Sequence, residues 1–348
     1  MERNNESEVV PNEDDFESYF EVKGTYSTKD GVYDVDGDII LTKKVETLPF
    51  KFGIVTGTFD CSKNNLLSLE GAPSKVGVDF VCSTNKITSI EGAPSKVGGN
   101  FYCNNNNLKS LKGAHSKVGG GFDCMFNNLQ SLEGAPEEVG GTFWCSYNKI
   151  TSLKGAPVEV GGDFDCVFNN LCSLKGAPKE VGGSFWCNYN KLISLEGAPK
   201  EVGGSFRCEG NNIVTLKGAP KEVGMDFWCN NNKLHSLKGA PAKVGGSFWC
   251  SYNELRSLED APAKVGGDFL CHNNELISIE GAPKEVVLDF NCRENKLVTI
   301  KGAPIKVGKS FDCSYNKLRS LDGAPKEVGK DFWCNNNNLH SLKGALKK

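Results

Sequence analysis

From residue 59 onward, apolar positions recur along this 348-residue chain at a fixed spacing, and one copy displays the pattern. It reads Phe143-Trp144-Cys145-Ser146-Tyr147-Asn148-Lys149-Ile150-Thr151-Ser152-Leu153-Lys154-Gly155-Ala156-Pro157-Val158-Glu159-Val160-Gly161-Gly162-Asp163. Its near-constant apolar residues are Phe143, Cys145, Ile150, Leu153, Ala156 and Val160, with Asn148 fixed among them. Cysteines fall on a strict step of 21 from Cys61 to Cys334, which gives 14 unbroken copies. Self-similarity at this period marks a solenoid, in which each unit buries its apolar face only against its neighbours. Phe-x-Cys alternates with period two, so each copy carries a very short strand with Phe and Cys inward and the residue between them outward. Gly-Ala-Pro excludes a long helix, because proline lacks a donor and pushes the preceding residue towards extended backbone. Val-Gly-Gly then makes a tight return, and the side of each turn away from the strand is expected to be extended or polyproline-like. Stacked turns set the short strands side by side in a parallel sheet, about 4.8 Å apart.

An asparagine follows each repeat cysteine by three residues, from Asn64 to Asn337. A short amide at a bend can bond backbone groups of its own and neighbouring turns that would otherwise be buried unpaired. The hydroxyl column that runs from Ser68, Ser89 and Ser110 to Thr299, Ser320 and Ser341 is expected to serve the next bend in the same way.

Phe-x-Cys-x-x-Asn-x-Ile/Leu resembles the leucine-rich-repeat core, with Phe and Cys in the two strand leucine positions, over about residues 38 to 346. The resemblance implies a curved right-handed coil with a parallel sheet on its concave face and a mostly non-helical convex side; a parallel β-helix is the alternative. The short period and the Leu-x-Gly-Ala-Pro segment are similar to the repeats of secreted bacterial effectors, and more so to repeat proteins of large bacterial viruses. The chain departs from the effectors by one extra residue per turn. It also ends inside its repeats, where they carry a ubiquitin-ligase domain, so no enzymatic activity is carried over.

Residues 1–25 carry eight acids against Arg3 and Lys23, a net −6 in a chain of −3. With no apolar leader segment, they read as an acidic, disordered tail; an acidic partner peptide around Phe16, Tyr19 and Phe20 is the rival reading. Residues 26–57 read as an N-terminal capping unit, with a strand–turn–strand at Val32–Leu41 that turns on Asp36-Gly37. Asp34, Asp36 and Asp38 fail the calcium-loop spacing. Residues 58–346 read as one solenoid. Its local departures are His115 for Pro, Asp260 for Gly, and Val287-Leu288 for Gly-Gly, and no cap follows the last repeat. Two chains are therefore expected to meet end to end through the C-terminal repeats.

Fourteen of the 15 cysteines are inward and one, Cys172, is not, a pattern of reduced structural thiols that fits a cytoplasmic location, or a host's cytoplasm for a viral protein. The histidines His115, His235, His272 and His340 occupy different columns, and no metal, cofactor or catalytic motif is present. The reading is therefore non-enzymatic.

Variation concentrates on the outward strand columns. All five tryptophans lie between Phe and Cys, in a column that includes Tyr102, Trp144, Asp165, Trp186, Arg207, Trp228, Trp249 and Trp333. Two residues after Cys lie Phe126, Tyr147, Phe168, Tyr189 and Tyr252. Such an aromatic band reads as a protein-binding surface, with turn-to-turn ring stacking as the structural rival. Across the four outward columns 12 acids face Lys63, Arg207 and Arg293, which disfavours nucleic acid and favours a basic protein partner. A glycan-binding solenoid and a self-assembling rod are the other two functional readings.

Overall fold

The computed structural model describes residues 15–114 and 117–345. Its contacts divide the chain into two compact units, Met1–Lys149 and Ile150–Lys348, where the sequence alone predicts one unbroken solenoid. The boundary falls inside a repeat of ordinary sequence.

The first unit opens with a cap. A helical turn, α1 (Phe16–Tyr19), leads into β1 (Phe20–Lys29), which pairs antiparallel with β2 (Val32–Leu41). Strand β3 (Lys51–Val55) continues from β2 in parallel. This corrects two expectations. The ordered cap starts within the stretch predicted to be a disordered tail, because Phe16 and Phe20 are only 1% and 3% exposed and pack on an aromatic cluster with Tyr33, Phe50 and Phe52. They are core residues, not a free partner peptide. The hairpin also turns at Asp30-Gly31, both at positive φ as a type I′ turn requires, whereas Gly37 lies within β2 opposite Gly24. A Cβ on Gly37 would lie 2.2 Å from the Lys23 carbonyl, which explains a glycine in mid-strand. The rest of the predicted tail, residues 1–14, and the His115 departure lie outside the described residues.

Asp34, Asp36 and Asp38 have structural work. Asp34 accepts the Ile54 N–H at 2.6 Å, Asp36 the Thr56 hydroxyl at 2.7 Å, and Asp38 the Thr58 N–H at 2.7 Å.

Each repeat then contributes two parallel ladders where the sequence predicts one. In the first unit, Phe59–Asp60 through Phe143–Trp144 form a ladder in strict register. In the second, Phe164–Asp165 through Phe332–Trp333 do the same. A second ladder uses the residue pair ending in the conserved valine, such as Glu180–Val181 against Glu201–Val202. The inward Phe rings stack turn on turn, at 5.1 to 5.8 Å in the first unit. In the second they lie 5.2 to 5.6 Å apart.

Bends are built from the two predicted columns. Asn190 Nδ2 donates to the carbonyls of Cys187 at 3.2 Å and Cys166 at 3.0 Å, and its Oδ1 accepts the Leu171 N–H at 3.0 Å. The amide thus ties adjacent turns where no backbone partner is available. The next bend is a type II turn: Ala156 N–H reaches the Leu153 carbonyl at 2.9 Å with Gly155 at φ 86°, and Ser152 Oγ accepts the Lys154 N–H at 3.2 Å. Cys172 is exposed, and the column cysteines are unbridged and buried, apart from a half-buried Cys334. Burial pushes the buried thiols well above their ordinary range. Several donate weakly to the next turn, as Cys187 does to the Arg207 carbonyl at 3.3 Å.

Candidate functional site

The residue two after each cysteine adopts a left-handed conformation. This is the backbone that Gly and Asn tolerate, yet the chain places Phe126 (φ 51°), Tyr147 (55°), Phe168 (50°), Tyr189 (53°), Tyr252 (54°) and Tyr315 (53°) there. A bulky ring in this region is a backbone outlier that costs of order 1 kcal/mol or more. Those six rings are between 42% and 53% exposed, so burial does not repay the strain. Stacking repays part of it: Phe126 lies on Tyr147 at 4.4 Å within the first unit, and Phe168 on Tyr189 at 4.7 Å within the second.

The tryptophan column is also stacked. Trp228 and Trp249 lie parallel at 4.2 Å, and the Arg207 guanidinium sits 3.8 Å over Trp228 and 5.7 Å from Trp186. Ring faces in this run are thereby turned towards one another along the ladder. In the first unit Tyr102 and Trp144 are half-buried, and burial, then Asp79 and Asp123, raises the Tyr102 hydroxyl above its ordinary range. Asp165 is buried and Trp333 stands 48% exposed on the last strand, away from the Trp186–Trp249 run.

The acid excess on this face has a structural explanation. In the column before Phe, each short polar side chain accepts the N–H of its counterpart one turn on: Ser184 N–H to Asp163, Ser205 to Ser184, Asp226 to Ser205, Ser247 to Asp226. Asp60, Asp123, Asp165 and Asp312 instead accept an N–H two residues ahead, as in an Asx turn. Nine of the twelve acids are engaged in one of these ways once Asp79, Asp268 and Asp289 are included. Their number therefore does not by itself select a basic partner.

Within residues 186–251 four consecutive turns each bury one donor and one acceptor that lack a partner among the described residues. The donors are Nε1 of Trp186, Trp228 and Trp249 and Nε of Arg207; the acceptors are Oδ1 of Asn188 and Asn230, Oε2 of Glu209 and Oγ of Ser251. Glu209 is only 7% exposed, and burial raises its carboxyl above the ordinary carboxylate range against the opposing pull of its own backbone and Arg207. Reading the sequence column by column singles out the tryptophans and Arg207, counts Glu209 only among the twelve acids, and misses Asn188, Asn230 and Ser251. The available signal is the copy at Phe206, which changes three outward columns at once with Arg207, Glu209 and Gly210.

No protein-family model and no curated protein matches the chain. Among solved structures it is similar to YopM, a leucine-rich effector protein from Yersinia pestis, at 18% identity and a TM-score of 0.54, over 82% of this chain and 78% of that one. It is also similar to InlJ from Listeria monocytogenes, whose functional domain is described as including a cysteine ladder, at 19% identity and a TM-score of 0.50. That match covers 76% of this chain and 59% of InlJ. Likeness at these identities speaks to fold: the chain is a leucine-rich-repeat-type parallel β-solenoid with little helix.

Proposed function

We propose that the chain is a non-enzymatic protein-interaction scaffold whose strand face binds a partner between Trp186 and Tyr252 of the second unit. The observation that carries this reading is the concentration of eight unpaired buried polar atoms in four adjacent turns. Each such atom costs about 1–3 kcal/mol, and native folds keep few of them, so their gathering beside a strained aromatic column fits a surface completed by a partner. The leucine-rich-repeat-type fold supports the general reading, and a rigid two-ladder sheet holds the rings without further ordering on binding. A glycan platform fits less well, because sugars stack on open ring faces and the faces of Trp228 and Trp249 cover each other. The thiols argue against nucleophilic catalysis, being buried and held protonated, and they fit a reducing compartment such as the cytoplasm.

The test is capture from lysate with wild type and a Trp186→Ser, Trp228→Ser, Trp249→Ser variant, identified by mass spectrometry, with circular dichroism as the folding control. A protein retained by wild type and lost by the folded variant supports the site. Capture of the same proteins by both removes it.

A further inference from the structure

We propose that the turn beginning at Phe206 reads a primary ammonium group, a lysine side chain presented by the partner, through Glu209 Oε2 together with Asn188 Oδ1. The inference rests on the strand-face reading above and adds the chemistry of one contact. Glu209 and Asn188 occupy the same column on adjacent turns, are 7% and 9% exposed, and each holds an acceptor oxygen with no donor. Arg207 does not supply one to Glu209: its guanidinium is committed to the Trp228 face at 3.8 Å, and its own Nε is likewise unpaired. A buried carboxylate in this position is costly until a cation reaches it. Access is over Gly210, the one copy whose left-handed column has no side chain. The half-exposed Tyr189 ring fills that space, 2.6 Å from where a Cβ would stand, so the ammonium enters as this ring swings aside.

Geometry favours an ammonium over the other cations. Strands one turn apart in a parallel ladder lie about 4.8 Å apart, and we take that spacing for the two oxygens. A nitrogen about 2.8 Å from both oxygens would then subtend an angle of about 118°, close to the tetrahedral fan of –NH₃⁺ donors. A guanidinium fork is built for the two oxygens of one carboxylate. A divalent ion requires more charge than one carboxylate, and no metal-binding group of three His, Cys, Asp or Glu exists among the described residues.

The experiment titrates the full chain with blocked pentapeptides, acetyl-Gly-Ser-X-Ser-Gly-amide, where X is lysine, arginine or norleucine, following the tryptophan indole N–H resonances. The lysine peptide is expected to give saturable shifts at the Trp186 and Trp228 signals. Norleucine, and the lysine peptide on a Glu209→Gln variant of unchanged fold, should bind at least about 10-fold more weakly, as loss of a charge-assisted hydrogen bond implies. No response to lysine, equal binding of norleucine or arginine, or an unaffected Glu209→Gln variant each overturns the proposal. If Glu209→Gln retains the captured protein while the triple tryptophan variant loses it, the face binds its partner without a lysine contact, and only this inference falls.

Discussion

Replacing Asn190 by alanine removes four hydrogen bonds at once, and their environments set the cost; the longest, to the Asn188 carbonyl at 3.3 Å, matters least because the Phe168 N–H also reaches that carbonyl. The carbonyls of Cys166 and Cys187 each keep a second amide donor, Asn169 at 3.2 Å and Asn211 at 3.1 Å, so each loses about 1 kcal/mol. The Leu171 N–H, bonded only to Asn190 Oδ1 and fully buried, is left without a partner at about 1–3 kcal/mol. The sum is about 3–5 kcal/mol. Because a turn contacts only its neighbours, the loss should be local. Hydrogen exchange at the Leu171 amide should accelerate sharply, while amides in distant turns such as Leu318 keep their protection. Asparagine to aspartate at this position is a sharper probe. Its carboxylate keeps the Leu171 bond but points its other oxygen at two carbonyls, which raises the folded-state carboxyl above the unfolded one. The variant should therefore regain stability below the unfolded aspartate range, near pH 4, and lose it as pH rises through the folded value. A loss under about 0.5 kcal/mol in Asn190→Ala with Leu171 protection intact would refute the account.

Two further outcomes follow from the same ladders. At the position after the conserved valine, a Cβ on Gly245 or Gly266 would meet the preceding turn's carbonyl at 2.0 Å, yet Val287 stands in that column. There the second ladder keeps only the Val265–Val286 pair, so Val287→Gly should raise the melting temperature by the equivalent of about 1 kcal/mol; an unchanged or lower value counts against the steric reading. Burial raises the Glu209 carboxyl above its ordinary range, against the pull of its own backbone and Arg207. Its raised carboxyl means that wild type gains stability as pH falls through the folded value, and Glu209→Gln should be more stable than wild type at pH 7 by about 1 kcal/mol. In urea melts across pH the gap should close near pH 4; a variant less stable at neutral pH would contradict the assignment.

Much of the scaffold is readable in the sequence because it repeats. Period-two alternation gave the inward Phe and Cys, and an asparagine or hydroxyl fixed at one offset had to serve a bend. The second ladder was hidden because two residues before a glycine pair show no alternation to read. The hairpin turn was misplaced because two Asp/Asn-Gly-like signals, Asp30-Gly31 and Asp36-Gly37, compete, and cross-strand packing against Gly24 decides between them. On the face, composition located the tryptophans, but the direction of the rings and the partners of the aspartates depend on the neighbouring turn. The charge count therefore overstated how much of the surface is free to choose a partner.

The bonds that tie one turn to the next all span about one repeat, as from Asn190 to Leu171 or Ser205 to Ser184. Excising any stretch of 21 residues within a unit therefore rejoins compatible halves. Near-identical copies also invite unequal recombination in the coding sequence. Such an event leaves the core intact while adding, removing or relocating the Arg207–Glu209–Gly210 turn among its aromatic neighbours. The strand face can thus change by whole modules as well as by single substitutions, each module carrying its own share of the stacking energy.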